Sequence, residues 1–289
     1  MLGLIIAFLI NIIFTVFLSA LIVPFPVNDS GTVRYNSFPW MTITLISINC
    51  FVFIGWQAPD LFDYFSTPSG SPEEEAAILG YATKIWTYGF RASYLREGES
   101  IGAFTSFTSM FMHGDFNHLT GNMIYLWAFG RRVEDACGPW RFLVFYLLAG
   151  MVAVMGFAML ISPAEDLPGV GASGAISGVM GAYLLLFPGA RMTCLWGVAK
   201  AVRTVTHFLL RLIGERPGPA RWTIKIPAFI VLLLFIANNL LPTFDSIEAG
   251  ELAGGVNYVA HVAGFLSAIT IFLFVRKDLL TRYIAGRAL

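Results

Sequence analysis

The sequence predicts an all-α polytopic membrane protein, and three observations carry that prediction. Hydrophobic residues make up 57% of the 289 and charged residues only 12%, about half the roughly 25% usual in soluble domains; the mean hydropathy is +0.72. Apolar runs approaching or reaching the roughly 17–25 residues that cross a bilayer occur seven times. Finally, the charges between those runs segregate by side. The same composition excludes disorder, collagen and coiled coil, and with 18 basic and 18 acidic residues nothing points to a nucleic-acid partner. The three cysteines, Cys50, Cys137 and Cys194, have no zinc-like spacing, and their odd number argues against a disulfide framework.

The expected spans are 2–23, 38–56, 117–130, 140–161, 172–187, 226–241 and 256–275. The third and fifth are short and glycine-rich, the mark of helices surrounded by protein rather than lipid. The first has no Lys or Arg before it and no small-x-small cleavage site after it, so it is expected to be a retained helix and not a signal peptide. Placing residues 24–37, 131–139, 188–225 and 276–289 on one side, with Arg141, collects 15 of the 18 basic residues and 5 acidic ones; the other side holds 3 basic and 13 acidic. The positive-inside rule then puts the basic side in the cytoplasm and the N-terminus outside. In the outward loop, 57–116, Ser71-Pro72-Glu73-Glu74 starts a helix with a capping box and proline at its first position, and Trp86, Tyr88 and Phe90 suit a membrane interface. In the inward loop, Lys200, Arg203, His207 and Arg211 share one helix face opposite Val202, Phe208 and Leu209. That pattern predicts a helix lying on anionic headgroups, a solvated helix being the alternative.

Ionisable and polar residues inside spans are functional candidates, because burying them costs several kcal/mol unless they are partnered. His118 and Asn122 fall in the first two turns of the third span and share a face. Ser173 opens the fifth, within Gly169-Val170-Gly171-Ala172-Ser173-Gly174. His261 lies about 7 Å below the start of the seventh at 1.5 Å per residue. All three spans enter from the outside, so these side chains reach one layer. A serine, a histidine base and a set of N–H donors are the parts of acyl transfer. With no Asp or Glu in the later spans, a Ser–His dyad is expected rather than a triad. His113 falls at the surface in this reading, with a structural role; His207 and the cysteines are given no chemistry.

Taken singly, each signal has a plainer reading. Gly174 and Gly178 form a Gly-x-x-x-Gly packing pair. Gly169-x-Gly171-x-x-Gly174 matches a dinucleotide fingerprint, but it follows Pro168 rather than a strand and lacks the later acidic residue. His118 and Asn122 also serve as interhelical hydrogen-bond glue, and His261 as a relay or ion-site residue of a transporter.

Taken together, the residues resemble the rhomboid family of intramembrane serine proteases. The resemblance runs from about Phe38 to Val275 on His113-Gly-Asp-Phe-Asn-His118-Leu-Thr-Gly-Asn122, Phe129-Gly-Arg-Arg-Val-Glu-Asp135, Gly171-Ala172-Ser173-Gly174 and Ala260-His261-Val-Ala-Gly264. It implies a six-helix protease core at 38–276, preceded by an extra transmembrane helix and linker at 1–37 and followed by a cytoplasmic tail at 277–289. It implies Ser173 as nucleophile and His261 as base. His118, Asn122 and the Ser173 N–H would form the oxyanion hole, with Gly171, Gly174, Gly264 and His113 in support. Substrates would be single-span membrane proteins cut near the outer surface at small residues, with neither metal nor cofactor. The absence of organelle-targeting features favours a bacterial cytoplasmic membrane. Three positions depart from the family pattern: Ser177 where many members carry an aromatic residue, Phe104-Thr105 where a Trp-Arg pair is frequent, and Ala268 in place of a glycine. An inactive, client-binding relative is the alternative function.

Overall fold

The computed structural model describes residues 24–29, 37–97, 102–160, 166–249 and 258–272, together with helical residues scattered between 6 and 21. Most of the described chain is helical. The expected span at 2–23 falls largely outside the described residues, as do the tail at 277–289 and the last residues of the seventh span.

Helix α1 runs over Trp40–Ser66, ten residues beyond the span expected to stop at Trp56. A π turn at Phe53–Gln57 lets it pass Pro59, the second residue of the segment that follows, because proline is tolerated where the preceding turn has already shifted its hydrogen bonds. The extension is held outside the apolar stretch by an ion pair between Asp60 and Lys84, 2.7 Å apart. Lys84 belongs to α2, Pro72–Tyr88, whose start is as the sequence specifies: Ser71 Oγ accepts from the Glu74 N–H at 3.1 Å. Two short helices follow, α3 (Ala92–Glu97) and α4 (Gly102–Thr108).

Helix α5 starts at Phe116–Tyr125, passes through a π turn at Leu126–Gly130 and continues as Arg131–Cys137. The inward loop expected at 131–139 is therefore mostly helix, ending at Gly138, whose φ of 85° breaks it. Side-chain ties account for the extension: the Glu134 carboxylate accepts from the backbone N–H groups of Met41 and Thr42 and from the Thr42 hydroxyl, at 2.7–2.8 Å. It caps the N-terminus of α1, where a negative charge also meets the helix dipole.

Helix α6 covers Pro139–Leu160 and α7 Ser173–Leu186. From Gly174 to Tyr183 every residue of α7 is buried, as its short, glycine-rich sequence predicts. The glycines set the packing distance. A Cβ at Gly174 would stand 2.6 Å from Ala153 Cβ on α6, and one at Gly178 2.5 Å from Ala149 Cβ. Helix α8 is Gly197–Leu212, α9 Ala228–Ala249 and α10 Tyr258–Ser267, which continues through a π turn at Ala268–Phe272. Alanine at position 268 is accommodated: its side chain is fully buried and meets α7 at Gly181, where a second Cβ would stand 2.7 Å away.

The helical fold carries one small addition that the sequence reading did not include. Strands β1 (Phe25–Asp29), β2 (Arg191–Leu195) and β3 (Thr223–Pro227) form an antiparallel sheet in that order, with Phe25 opposite Leu195 and Met192 opposite Ile226. It ties the segment before α1 to the 188–225 loop. Pro26 is tolerated because β1 is an edge strand with a bulge between Pro26 and Asn28. Arg132 of α5 lies 3.2 Å from Asp29 of β1, both nearly fully buried, so the sheet is fastened to the helical core by a charge pair.

Candidate active site

Helix α7 begins at Ser173, two residues after Gly171, whose φ of 128° is a conformation that side chains rarely adopt. The space that glycine leaves is informative. A Cβ at Gly171 would fall 2.7 Å from His118 Nε2 and 3.5 Å from Ser173 Oγ, so an unfilled position lies between the two. The Gly171 N–H is tied to the Ser109 carbonyl at 2.9 Å.

Ser173 Oγ is 2.7 Å from His261 Nε2. The pairing depends on backbone contact between α7 and α10, because a Cβ at Gly264 would collide with the Gly174 carbonyl. Gly174 and Gly264 thus act as spacers in the structure. The other ring nitrogen of His261, Nδ1, lies 2.7 Å from Asn239 Oδ1, and Asn239 Nδ2 donates to the Phe235 carbonyl one turn earlier on α9 at 2.7 Å. With the amide N–H so placed, Oδ1 is the atom that faces the imidazole. It accepts from Nδ1–H, which leaves the Nε2 lone pair for the serine hydroxyl. The imidazole expected to pair with Ser173 thus also meets an amide, not a carboxylate, on its far side. Ser177 carries no ring to stack on His261; its hydroxyl returns to the Ser173 carbonyl at 2.7 Å. Phe235 and Tyr258 flank the imidazole instead, at 6.2 and 6.3 Å between centroids.

His118 and Asn122 lie on successive turns of α5. Asp115 caps that helix by accepting from the His118 N–H at 2.8 Å. His118 Nδ1 accepts from the Gly114 N–H at 3.4 Å, so Nε2 carries the proton and faces the gap at Gly171. Asn122 is buried, and its Nδ2 has no hydrogen-bond partner, an unusual state for a buried donor and one that invites a ligand. His113 corrects the surface placement. It is fully buried, edge-on to His118 at 5.2 Å, and gripped through its backbone by Gln57, with Tyr81 Oη donating to its carbonyl. Both of its ring nitrogens lack partners.

The segment between α1 and α5, with the residues just before Gly169, braces the approach to Ser173. Phe90 and Gly169 exchange backbone hydrogen bonds at 2.8 and 2.9 Å. Asp166 accepts from the Ser93 N–H and hydroxyl and pairs with Arg91. Burial by itself would raise the Asp166 carboxyl; Ser93 and Arg91 outweigh it and hold the group below its ordinary range. Of the unusual pair Phe104-Thr105, Phe104 is exposed while Thr105 is buried, its hydroxyl bonded to the Gly102 carbonyl. A small cavity beside Ser173 is lined by Phe90, Met110, Gly150, Ala153, Gly171 and Ala260 among others. Among the described residues no cluster of His, Cys, Asp or Glu is arranged to hold a metal.

A glycine-packed, largely apolar helical core brings buried donors around a serine and a histidine, the class of arrangement in which a helical protein keeps polar groups out of solvent. The rhomboid domain model matches residues 102–278, more than half of the chain, and the chain belongs to the rhomboid family, whose members are integral membrane proteins. It is 28% identical over 178 residues to the mitochondrial rhomboid protein 1 of Saccharomyces cerevisiae, covering 55% of this chain and 51% of that one. It is 25% identical over 170 residues to the chloroplastic rhomboid-like protein 11 of Arabidopsis thaliana, covering 59% and 51%. A shorter stretch of 77 residues is 40% identical to the rhomboid protease GluP of Bacillus subtilis, covering 27% and 14%. The chain thus spans about half the length of the first two relatives. No solved structure matches it.

Proposed function

We propose that the protein is an intramembrane serine endopeptidase that hydrolyses peptide bonds in or near transmembrane segments of other membrane proteins. The observation that carries this reading is the 2.7 Å approach of Ser173 Oγ to His261 Nε2, beside a gap that His118 also faces. His261 Nε2 takes the hydroxyl proton as Ser173 attacks the scissile carbonyl. The resulting oxyanion is met by His118 Nε2–H, Asn122 Nδ2–H and the Ser173 N–H at the start of α7, where the helix dipole adds to the stabilisation. The imidazolium gives its proton to the leaving amine. Water, deprotonated by His261 in turn, then hydrolyses the acyl-enzyme. Asn239 keeps the imidazole in the required tautomer throughout, as the buried aspartate does in the Ser-His-Asp template. No step calls on a metal or cofactor.

The small cavity beside Ser173 suits a small side chain at the cut, and the glycine at 171 lets substrate backbone come close. The relative named as a rhomboid protease supports the activity at the level of the family. We assign the protease domain to residues 38–276, with residues 1–37 as an added helix and linker and 277–289 as a tail, and propose a bacterial cytoplasmic membrane with the reacting layer toward its outer side, a sidedness that the charge asymmetry of the loops supports.

The test is cleavage of a model single-span substrate by purified protein, comparing wild type with Ser173→Ala and His261→Ala. Cutting by the wild type and by neither variant is the expected result. A folded wild type that cuts none of several substrates would favour the second reading, a client-binding protein, for which Ser177 in place of the aromatic residue is the motivating observation.

A further inference from the structure

Helix α8 is inside out by the standard of a soluble helix. At 100° per residue, Val198, Val202, Val205, Leu209 and Leu212 share one face, and Lys200, Arg203, His207 and Arg211 the opposite one. The basic face is the one turned to the protein. Lys200 Nζ donates to the Ala220 carbonyl at 2.6 Å, and the Arg203 guanidinium donates to the carbonyls of Arg221 and Thr223 at 2.9 and 2.6 Å. The apolar face points away from everything described: Val202 and Val205 are each 59% exposed, Phe208 62% and Leu212 68%. A helix held by its charges with its hydrocarbon turned outward costs free energy in water, since apolar side chains are stabilised by leaving it.

The position of α8 names the occupant of that face. Its first residue, Gly197, lies against the backbone of Leu21, and Trp222, beneath Lys200, meets Phe17 at 5.8 Å between ring centroids. Phe17 and Leu18 are about half exposed, and Phe229, Leu233 and Leu234 at the start of α9 are likewise open. Both are exposed apolar surfaces on segments whose sequence is expected to span, and α8 lies at their ends, where such segments would leave the hydrocarbon. Around it, Arg211, Arg216, Arg221 and Lys225 are exposed, and residues 188–225 hold seven basic residues against one acid, Glu215.

We infer that α8 is an in-plane membrane helix: its apolar face is immersed in the leaflet on the sheet's side of the bilayer, and the surrounding Arg and Lys residues hold anionic phospholipid headgroups. This is independent of the proteolytic reading. It also revises the orientation in which a basic helix face rests on the headgroups, because Lys200 and Arg203 are spent on the protein. Helices of this kind sink roughly 5–10 Å into the boundary between headgroup and acyl chain, and exposed basic residues near the surface add attraction to anionic lipid.

The experiment is site-directed spin labelling of the full chain in nanodiscs of phosphatidylcholine mixed with phosphatidylglycerol, with the three native cysteines replaced by alanine. Labels at Phe208→Cys and Leu212→Cys should collide several-fold more with oxygen than with a water-soluble nickel chelate, and a label at Arg211→Cys should show the reverse. Greater nickel access at 208 and 212 would mean a solvated face and would overturn the inference. Protection from both reagents with dipolar broadening would mean a second copy, and overturns it too. Should the cysteine-free chain fail to fold, a photoreactive benzoylphenylalanine at position 208 of the otherwise unaltered protein gives the same decision: a lipid adduct supports immersion, and a protein dimer or no adduct refutes it. Omitting phosphatidylglycerol should raise nickel access at 208; an unchanged depth would overturn the anionic-headgroup part.

Discussion

The two ends of α5 bury polar side chains in opposite ways. At its last turns, Glu134 accepts three hydrogen bonds from the start of α1 and Arg132 pairs with Asp29 of the sheet. At its first turns, Asn122 Nδ2 is buried without a partner and His118 turns Nε2 to the gap at Gly171, while just before the helix both ring nitrogens of His113 are buried and unpartnered too. Saturated polar groups lock elements together, since each lost partner strands a buried charge or donor. Open ones are paid for by the rest of the fold and are available to something that binds. One helix thus has an end that Glu134 ties to α1 and an end where Asn122 keeps an open donor, although both residues are buried and polar.

The sharpest way to break that comparison is Glu134→Ala. It strands two N–H groups and a hydroxyl at the start of α1 and should cost about 3 kcal/mol or more, read as lost thermal stability in detergent, with the folded fraction retaining its turnover per molecule. At the other end the effects should reverse. His118→Ala or Asn122→Ala should slow cleavage by roughly 10–10³-fold, as other oxyanion donors do, with the melting temperature unmoved; loss of expression instead would make these residues interhelical glue.

Asn239→Ala should lower kcat by about tenfold or more, on the scale of a positioned general base, and leave KM unchanged. Asn239→Asp, which keeps an acceptor toward Nδ1–H, should recover most of that loss, whereas a merely structural amide would show equal defects in both variants. The smallest effect belongs to the outward loop. Asp166 has its carboxyl held below the ordinary range, so the stabilisation it brings is complete above the unfolded-state value and lost as pH falls through the lower folded-state value. Being only partly buried, at the edge of the fold, the cluster with Arg91 and Ser93 contributes roughly 0.5 kcal/mol. Asp166→Asn should flatten the acid limb of a stability–pH curve by that amount, and an unaltered limb would show that the pairing adds nothing.

Much of this was legible in advance because it is local or periodic. Spans 140–161 and 172–187 agree with α6 and α7 to within a residue or so, since apolar length and flanking proline or glycine decide them. Ser71 capped α2 as its motif specifies. Where the reading fell short, the deciding partner is far along the chain. The start of α1 is capped by Glu134, and the strands at 25–29, 191–195 and 223–227 are five residues each, too short to stand out beside the spans they adjoin. Asn239 could have been found: it is an amide inside an apolar run, the same signal that singled out Asn122. What could not be read was that its carbonyl faces His261 from a different helix.

Seven apolar runs, the sidedness of the charges and the order of His118, Asn122, Ser173 and His261 follow from the sequence alone, because hydropathy and spacing along a helix are properties of neighbours in the chain. Tertiary structure alone decided which polar groups end up satisfied. It tied Glu134 to α1 and Arg132 to Asp29, left Asn122 open, gave His261 an amide partner and turned the apolar face of α8 outward. Each of those outcomes depends on distances between segments separated by tens of residues, which glycine-spaced packing sets and composition does not.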